Sequence, residues 1–258
     1  MKTNKQKRSN NKAFSEIFGF HAVNAALKNP NRIHQKLFVN QSQKENLSKK
    51  LATLVPDINE LHNKEMFKMF GNESTHQGIV LRTSKLQQPI LEDIIDEGQE
   101  KNSNIIVILD QVTDPNNIGS IIRSCALFNC KSIIVSKDNA PDLTASIAKS
   151  ASGGIEEVNY VSVVNLSRTI IQLKKNNYWI YGFDSNENIK ENKDIELPKK
   201  CVLVFGSEGK GLRNLTKKEC DELISIPIKK NTNYNIDSLN VANACSIALY
   251  KHFVTNYK

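Results

Sequence analysis

The chain has 258 residues, of which 39% are hydrophobic, so it is long enough for one large domain or two smaller ones. No stretch approaches the run of about 20 apolar residues that a membrane helix needs, and no apolar segment follows the basic N-terminus, which argues against a secretory signal. Its five cysteines show no Cys-x-x-Cys spacing, which indicates reduced core thiols in a cytoplasmic protein, and no metal site is visible.

The net charge is +8, and much of the excess lies in a polar arm over residues 1–14. Its basic residues are Lys2, Lys5, Lys7, Arg8 and Lys12. Such an arm commonly adds a salt-sensitive attraction to nucleic-acid phosphates. A solubilising tail would have the same composition, so charge alone does not separate the two interpretations.

Residues 15–83 are predicted to form a small mixed α/β unit, followed by a polar linker over 84–102 that carries a short helix. Within the unit, helices are predicted over 19–28, 45–54 and 64–70, and strands over 33–39 and 77–82.

From residue 103 to the end, apolar strands alternate with helical segments. Strands are predicted over 105–109, 133–135, 158–161, 178–183, 201–205 and 223–228, and helices near 117–128, 143–151, 165–175, 213–221 and 239–254. Near-continuous apolar strands separated by helices are typical of a parallel sheet that is covered on both faces. The pattern by itself predicts an open, doubly wound sheet.

The first segment with possible chemistry follows strand 105–109. Asp114 before Pro115 is a sound N-cap, with proline at the first helical position. Asn117 and Arg123 lie in the helix that begins there. Spacing alone favours a structural interpretation, in which Asn116 and Asn117 are turn residues and Arg123 is a solvated charge or a salt-bridge partner.

The second segment is Gly206-Ser207-Glu208-Gly209-Lys210-Gly211, directly after strand 201–205. It matches neither the P-loop nor the dinucleotide-binding pattern, and Glu208 would repel a phosphate. Its glycines would allow main-chain groups to approach a flat neutral ring such as adenine. The alternative is a tight turn that requires positive φ angles.

The third segment, Ser238-Leu239-Asn240-Val241-Ala242-Asn243, precedes the final helix, and Ser238 is a plausible N-cap for it. Asn240 and Asn243 share a helix face, so their amides either cap neighbouring loops or meet a ligand. The helix is apolar on most sides, which predicts that it is buried or lies at a subunit interface.

Together the three segments resemble the three motifs of the SpoU (TrmH-like) family of RNA ribose 2′-O-methyltransferases, within the SPOUT superfamily. The matching strings are Asp114-Pro115-x-Asn117-x-Gly119 with Arg123, Val204-Phe205-Gly206-Ser207-Glu208-Gly209-x-Gly211, and Ile226-Pro227-Ile228 followed by Ser238-Leu239-Asn240-Val241. Residues 19–23 and 76–79 are similar to the two ends of the family's small N-terminal domain. Residues 109–115, 151–154 and 215–223 are similar to its RlmB branch, which methylates a guanosine ribose in 23S ribosomal RNA.

The resemblance implies an α/β fold with a SPOUT-type parallel sheet and a C-terminal trefoil knot in residues 103–258, preceded by an L30e-like substrate-binding domain in residues 15–83. S-adenosylmethionine is then expected in the knot, against main-chain groups of Gly206, Ile226 and Leu239, with Phe205 and Gly211 beside it. The resemblance also implies a homodimer through the methyltransferase domain that acts on 23S ribosomal RNA, without a metal and without a membrane.

The residues that match the family's catalytic positions are Arg123, Asn117, Glu208, Ser238 and Asn240. The resemblance gives Arg123 the handling of the proton, but a guanidinium is protonated at neutral pH. Arg123 is therefore expected to bind the target phosphate and to stabilise developing alkoxide charge, and to act as a transient base only if a desolvated pocket holds it neutral. The loop over 229–237 is longer than is usual in the RlmB branch, and Ala242 stands where the family commonly has serine. Both departures concern the choice of substrate.

Three rival interpretations remain open from the sequence. The same chemistry could act on a transfer RNA or on another ribosomal RNA ribose, although the extra N-terminal domain favours ribosomal RNA. A non-catalytic RNA-binding assembly factor would carry a vestigial cofactor site, which the intact motifs argue against. A nucleotide hydrolase is weakened by the missing P-loop.

Overall fold

The computed structural model describes residues 14–72, 76–101, 103–138, 141–184, 196–229 and 238–256. They form two compact units. The first takes the described residues up to Gln87 together with Leu143–Glu156, and the second takes Gln88–Asp142 and the described residues from Glu157 onward. Most of the predicted basic arm and the loop over 230–237 lie outside the described residues.

The first unit is built on a four-stranded sheet in the order β1-β4-β2-β3. The strands are β1 (Phe14–Phe18), β2 (His34–Val39), β3 (Ile58–Glu60) and β4 (Ile79–Ser84). Strand β4 pairs antiparallel with β1 and β2, whereas β2 and β3 are parallel. The helices up to residue 72 are α1 (Phe20–Lys28), α2 (Gln41–Asn46), α3 (Lys49–Ala52) and α4 (Asn63–Phe70).

The helix predicted over 45–54 is two short helices, α2 and α3. The side chain of Asn40 accepts a hydrogen bond from the Gln43 N–H, and that of Ser48 accepts one from the Leu51 N–H. Asn40 therefore caps the start of α2, and Ser48 caps the start of α3. The cap at Ser48 begins a second helix where one continuous helix was predicted. Strands β1 and β3 were not predicted, because neither shows the apolar run that signals a buried strand.

A segment from the C-terminal half of the chain belongs to the first unit. Helix α7 (Ala145–Ser150) packs against β1, and Gly153 has φ +96°. A Cβ at Gly153 would lie 2.6 Å from the Cβ of Ala25, so only glycine allows this approach. The sequence did not predict this packing, since the pattern over 143–151 indicates only one of the helices between two strands.

A buried ion pair holds the end of this segment. The Arg32 guanidinium donates to both carboxylate oxygens of Glu156 at 2.8–3.0 Å, and the two side chains are 3% and 6% exposed. The amide of Asn29 donates to Glu156 at 2.6 Å, and Arg32 also donates to the carbonyl oxygen of Ser84 at 2.6 Å. These partners compensate both charges inside the unit.

The second unit contains a six-stranded sheet in the order β10-β8-β9-β5-β6-β7. The strands are β5 (Asn104–Asp110), β6 (Ser132–Ser136), β7 (Asn159–Val163), β8 (Trp179–Phe183), β9 (Lys200–Gly206) and β10 (Glu222–Ile224). The helices are α5 (Leu91–Glu100), α6 (Pro115–Leu127), α8 (Leu166–Lys175), α9 (Asn214–Glu219) and α10 (Val241–Asn256). Every pair of neighbouring strands is parallel, which confirms the predicted parallel sheet.

Helices cover the central strands, so the core has apolar residues on both faces of the sheet. One core cluster joins α5 and α8 to β5, β8 and β9 through Ile94, Ile170, Ile108, Ile180 and Val204. Helices α6 and α10 pack on each other, and α10 also contacts β9. The stretch expected to be a linker therefore supplies a core helix, α5, because its apolar residues recur at helical spacing.

The C-terminal helix α10 is anchored at its far end by polar side chains. His252 is 1% exposed, and its Nε2 lies 3.2 Å from the carbonyl oxygen of Pro198. Burial lowers the pKa of this imidazole, which favours its neutral form. The amide of Asn256 donates to the Leu197 carbonyl oxygen at 3.0 Å.

Among the described helices, none is long and apolar enough to cross a membrane.

Replacing Glu156 by glutamine is expected to destabilise the first unit, because it leaves the charge of Arg32 buried without a counter-charge. Breaking a buried pair in this way costs about 3 kcal/mol. The matched control is Glu157→Gln, since Glu157 is 64% exposed and lies 3.9 Å from Lys131. Chemical denaturation of the two variants would measure the difference, and equal unfolding free energies would contradict a structural role for Glu156.

Candidate active site at the carboxyl edge of the parallel sheet

Three loops that carry the sequence motifs leave the second sheet at one edge. They follow β5, β9 and β10, and because all strands are parallel their carboxyl ends lie on the same side. Strands β5 and β9 are neighbours at the centre of the sheet, with Asp110 opposite Gly206 at their ends. This edge is where open α/β sheets place their ligands.

The loop after β5 turns sharply into α6. Gln111 has φ +62°, a left-handed conformation that is uncommon for a residue with a side chain. The side chain of Asp114 accepts a hydrogen bond from the Asn116 N–H at 2.9 Å, and Pro115 is the first helical residue. The predicted N-cap is therefore confirmed, and it places Asn117 in the first turn of α6, facing the edge.

The glycine-rich loop after β9 folds tightly back on itself. The Gly211 N–H donates to the Ser207 carbonyl oxygen at 2.9 Å, and Gly209 and Gly211 have φ +82° and +64°. A Cβ at Gly206 would lie 2.1 Å from the Gly211 carbonyl carbon, so Gly206 serves the loop's own close packing. Gly209 faces open space instead, because a Cβ at that position would meet no atom within 4 Å.

Residues from all three motifs meet in one hydrogen-bonded group, which we call the amide–carboxylate group: Asn117, Glu208 and Asn240. The Asn240 amide donates to Glu208 Oε1 at 2.6 Å and to Asn117 Oδ1 at 2.9 Å. The Asn117 amide donates to Glu208 Oε1 at 3.1 Å. These residues are up to 123 positions apart in the chain. Glu208 and Asn240 are exposed and Asn117 is half-buried, so the group lies at the surface.

Asn240 also begins the final helix, which corrects the prediction that Ser238 is its N-cap. The Oδ1 atom of Asn240 accepts from the Ala242 N–H at 2.9 Å, and α10 begins at Val241. Of the two alternatives that the sequence left for this amide, the structure shows contacts within the protein: its oxygen caps the helix, and its NH₂ group donates to the other two motifs. Ser238 lies two residues earlier and is exposed.

The remaining expected site residues lie in different environments. Arg123 is exposed on α6, Leu239 is 37% exposed, and Ile226 is half-buried just after β10. Phe205 is 2% exposed, and its ring stacks on Phe183 with centroids 4.5 Å apart. The ring of Phe205 is thus part of the core, so only its main chain is left to face a ligand.

Sequence reasoning missed Asp110, the last residue of β5. It is 0% exposed and accepts three hydrogen bonds, from Arg213 Nε at 2.6 Å, the Arg213 main-chain N–H at 3.1 Å and the Thr216 hydroxyl at 2.7 Å. The available signal was an acidic residue that directly ends an apolar strand beside a motif, because a buried carboxylate must find partners.

Two cysteines of this unit, Cys125 and Cys220, are unsuited to act as nucleophiles. The described thiols are all free, and burial raises the pKa of Cys220 to about 12 and that of Cys125 well above its usual value. A thiol with such a pKa is protonated at neutral pH and unreactive. Within the described ranges, no group of three or more histidine, cysteine or acidic side chains is placed to hold a metal ion.

Two family models match the chain. Residues 104–250 match the SpoU rRNA methylase family, and residues 17–89 match the family described as RNA 2′-O ribose methyltransferase substrate binding. The first match covers the strands and loops that build the candidate site, and the second covers most of the four-stranded sheet.

Similar proteins agree with these matches. The chain is 33% identical over 243 residues to the 23S rRNA (guanosine-2′-O-)-methyltransferase RlmB of Salmonella typhimurium, covering 91% of this chain and 96% of that protein. It is 33% identical over 249 residues to the RlmB of Haemophilus influenzae, covering 92% and 96%. The AdoMet-bound rRNA methyltransferase of Sinorhizobium meliloti has a similar fold, with a TM-score of 0.75 at 20% identity over 98% and 92% of the two chains.

The fold and the site thus define an α/β protein with a parallel sheet, in which three motif-bearing loops meet at the carboxyl ends of the strands. By the extent of the matches, the chain belongs to the SpoU rRNA methylase family.

Replacing Asn240 by aspartate is expected to keep the helix cap but to break the amide–carboxylate group, since two carboxylates would face each other where Asn240 now donates to Glu208. The loss is about 1 kcal/mol, as for directly coupled neighbours. Adding Glu208→Gln should recover it, because a glutamine amide can donate to the new carboxylate. Urea denaturation measures both variants, with Asn243→Asp as the matched control in the same helical turn. Additive effects of the two changes would contradict the contact.

Proposed function

We propose that this protein transfers a methyl group from S-adenosylmethionine to the 2′-hydroxyl of a guanosine ribose in 23S ribosomal RNA. The single observation that carries the proposal is the amide–carboxylate group, in which one residue from each motif meets the other two at the ligand edge of the sheet. Membership of the SpoU family supports the reaction, and the names of the RlmB relatives support the RNA.

The glycine-rich loop fits the proposed cofactor. S-adenosylmethionine, when bound, supplies an electrophilic methyl carbon on a positively charged sulfonium. Main-chain groups of Gly206, Gly211 and Phe205 would hold it, together with those of Ile226 and Leu239. Gly209 leaves open space beside the loop. The carboxylate of Glu208 is bonded by two amides, and no cation pairs with it among the described residues, which suits a cationic ligand better than a phosphate. We further propose that these loops form the trefoil knot.

Arg123 is proposed to act as an electrostatic clamp. Its side chain is exposed, and a guanidinium offers several N–H donors in one planar fork. It would bind the phosphate beside the target ribose and lower the cost of negative charge on the 2′-oxygen. Proximity carries much of the rate, because oxygen and methyl carbon must be aligned.

The other expected catalytic residues are proposed to position the reactants. The amides of Asn117 and Asn240 would orient the target nucleotide, and Glu208 would keep the two amides in place through its Oε1 atom. Ser238 would contact the ligand from the segment that leads into α10.

Residues 15–83 are proposed to form an L30e-like RNA-binding domain, joined through residues 84–102 to a methyltransferase domain over 103–258, with residues 1–14 as an RNA-attracting arm. The match of residues 17–89 to a substrate-binding family supports this division, as does the net charge of +8. Phosphate contacts of this kind weaken steeply with salt.

We also propose that the protein is a cytoplasmic homodimer that pairs through its methyltransferase domain. Helix α10 exposes Ile247, Tyr250 and Val254, which are 44%, 56% and 43% exposed, and α6 exposes Leu127 at 66%. Apolar side chains grouped on two packed helices are typical of an interface. Sedimentation should give twice the mass of the chain, and Tyr250→Asp should halve it. A monomeric wild-type protein at micromolar concentration would contradict the dimer.

The function is tested with labelled S-adenosylmethionine and transcripts of 23S ribosomal RNA fragments, 16S ribosomal RNA and a transfer RNA. Methylation of a guanosine ribose in the 23S fragments alone is expected. Methylation of the transfer RNA would favour the rival substrate, and absence of cofactor binding in calorimetry would favour the non-catalytic assembly factor.

In the same assay, Arg123→Lys should lower kcat/KM by about 10- to 100-fold, because lysine keeps the charge but loses the planar donor fork. Arg168→Lys, the same substitution at an exposed position on α8, is the matched control. An Arg123→Lys variant that methylates at the wild-type rate would rule out the clamp.

A further inference from the structure

Asp110 is tied to both ends of the glycine-rich loop. Its main chain lies opposite Gly206 in the β5–β9 pairing, just before the loop begins. Its side chain accepts from the main chain and guanidinium of Arg213, the residue that precedes α9, just after the loop ends. The loop that carries Glu208 is therefore closed at its base by one residue of the neighbouring strand.

The carboxylate of Asp110 holds neighbouring residues in place and does not contact a ligand. It is 0% exposed, so it cannot touch a substrate, and an unpaired buried carboxylate is strongly unfavourable. The three donors from Arg213 and Thr216 compensate it, and Thr216 is itself buried at 1% exposure. Breaking these bonds would release the downstream end of the loop rather than expose a surface charge.

Asp110 also begins the segment that leads from β5 to the first motif. The next residue, Gln111, takes φ +62°, and the chain then enters α6 with Asn117 in its first turn. Asn117 from this loop and Glu208 from the glycine-rich loop meet at 3.1 Å. The distance between these two side chains therefore depends on the pairing of Asp110 with Gly206, because both loops leave the sheet at that pair.

We propose that Asp110 is a positioning residue for methyl transfer. Its buried charge holds Arg213 and Thr216, and through them it sets the place of Glu208 and of the main chain between Gly206 and Gly211. The inference rests on the proposed function, because it assigns Asp110 to the same cofactor-binding and catalytic edge.

The decisive variant is Asp110→Asn, which keeps size and shape but lacks the second acceptor oxygen. Its NH₂ group would face a donor from Arg213 or Thr216, so the loop must shift. A misplacement of about 1 Å in a catalytic group costs up to about 100-fold in rate. We expect about a 10- to 100-fold lower kcat and about a tenfold higher Kd for S-adenosylmethionine, with the KM for RNA unchanged.

Asp221→Asn is the matched control within the same unit. Asp221 pairs with Lys174 at 2.7 Å and accepts from the Ile180 N–H at 2.9 Å, so it too joins a cation to a main-chain group. It precedes β10 and contacts the start of β8, at the amino end of the strands and away from the motif loops. Its loss should lower the melting temperature but leave kcat, cofactor affinity and the KM for RNA unchanged.

Thr216→Val provides a second, milder test that does not depend on Asp110→Asn being folded. It removes one donor to Asp110 at a position that no substrate can reach, and it should raise the cofactor Kd about threefold or more. Wild-type kinetics in Thr216→Val and Asp110→Asn would overturn the inference, as would equal losses in Asp110→Asn and Asp221→Asn. A wild-type protein that binds no cofactor would overturn the proposed function and this inference with it.

Discussion

The in-register pairing of β5 with β9 is the constraint on which the rest of the site depends. Both strands are buried and parallel, and their last residues, Asp110 and Gly206, lie opposite each other. Two loops therefore leave the sheet side by side, one towards Asn117 and one towards Glu208. Both strands are buried on both faces, so a slip of one residue in either would exchange the side chains that pack on the two faces. The close packing of the core therefore maintains the register that brings these loops together.

The two carboxylates at this edge, Asp110 and Glu208, lie in different environments. Asp110 is buried and compensated by Arg213, whereas Glu208 is exposed and bonded only by the amides of Asn117 and Asn240 among the described residues. The buried carboxylate can serve structure because its charge is paired. The exposed carboxylate has no cationic partner within the described part of the chain, and it is the kind of group that a cationic ligand would meet.

Regular elements of the second unit could be predicted closely from the sequence. Strands such as β5 and β9 are long, β-branched runs buried on both faces, and α6 begins with a clear N-cap at Asp114. Elements with weak local signals were missed or misplaced. Strands β1 and β3 are short, the helix predicted over 45–54 is interrupted by a second cap at Ser48, and Asn240 rather than Ser238 caps α10.

The sequence by itself determined the alternation of strands and helices, the parallel sheet and the residues of the three motifs, because these follow from local periodicity and from the residue types in each loop. Only the tertiary structure decided that Asn117, Glu208 and Asn240 touch, that Asp110 closes the base of the glycine-rich loop, and that residues 143–156 pack with the first unit through Arg32 and Glu156. Those contacts join residues between 32 and 124 positions apart in the chain, and no local pattern records which buried charge will find which partner.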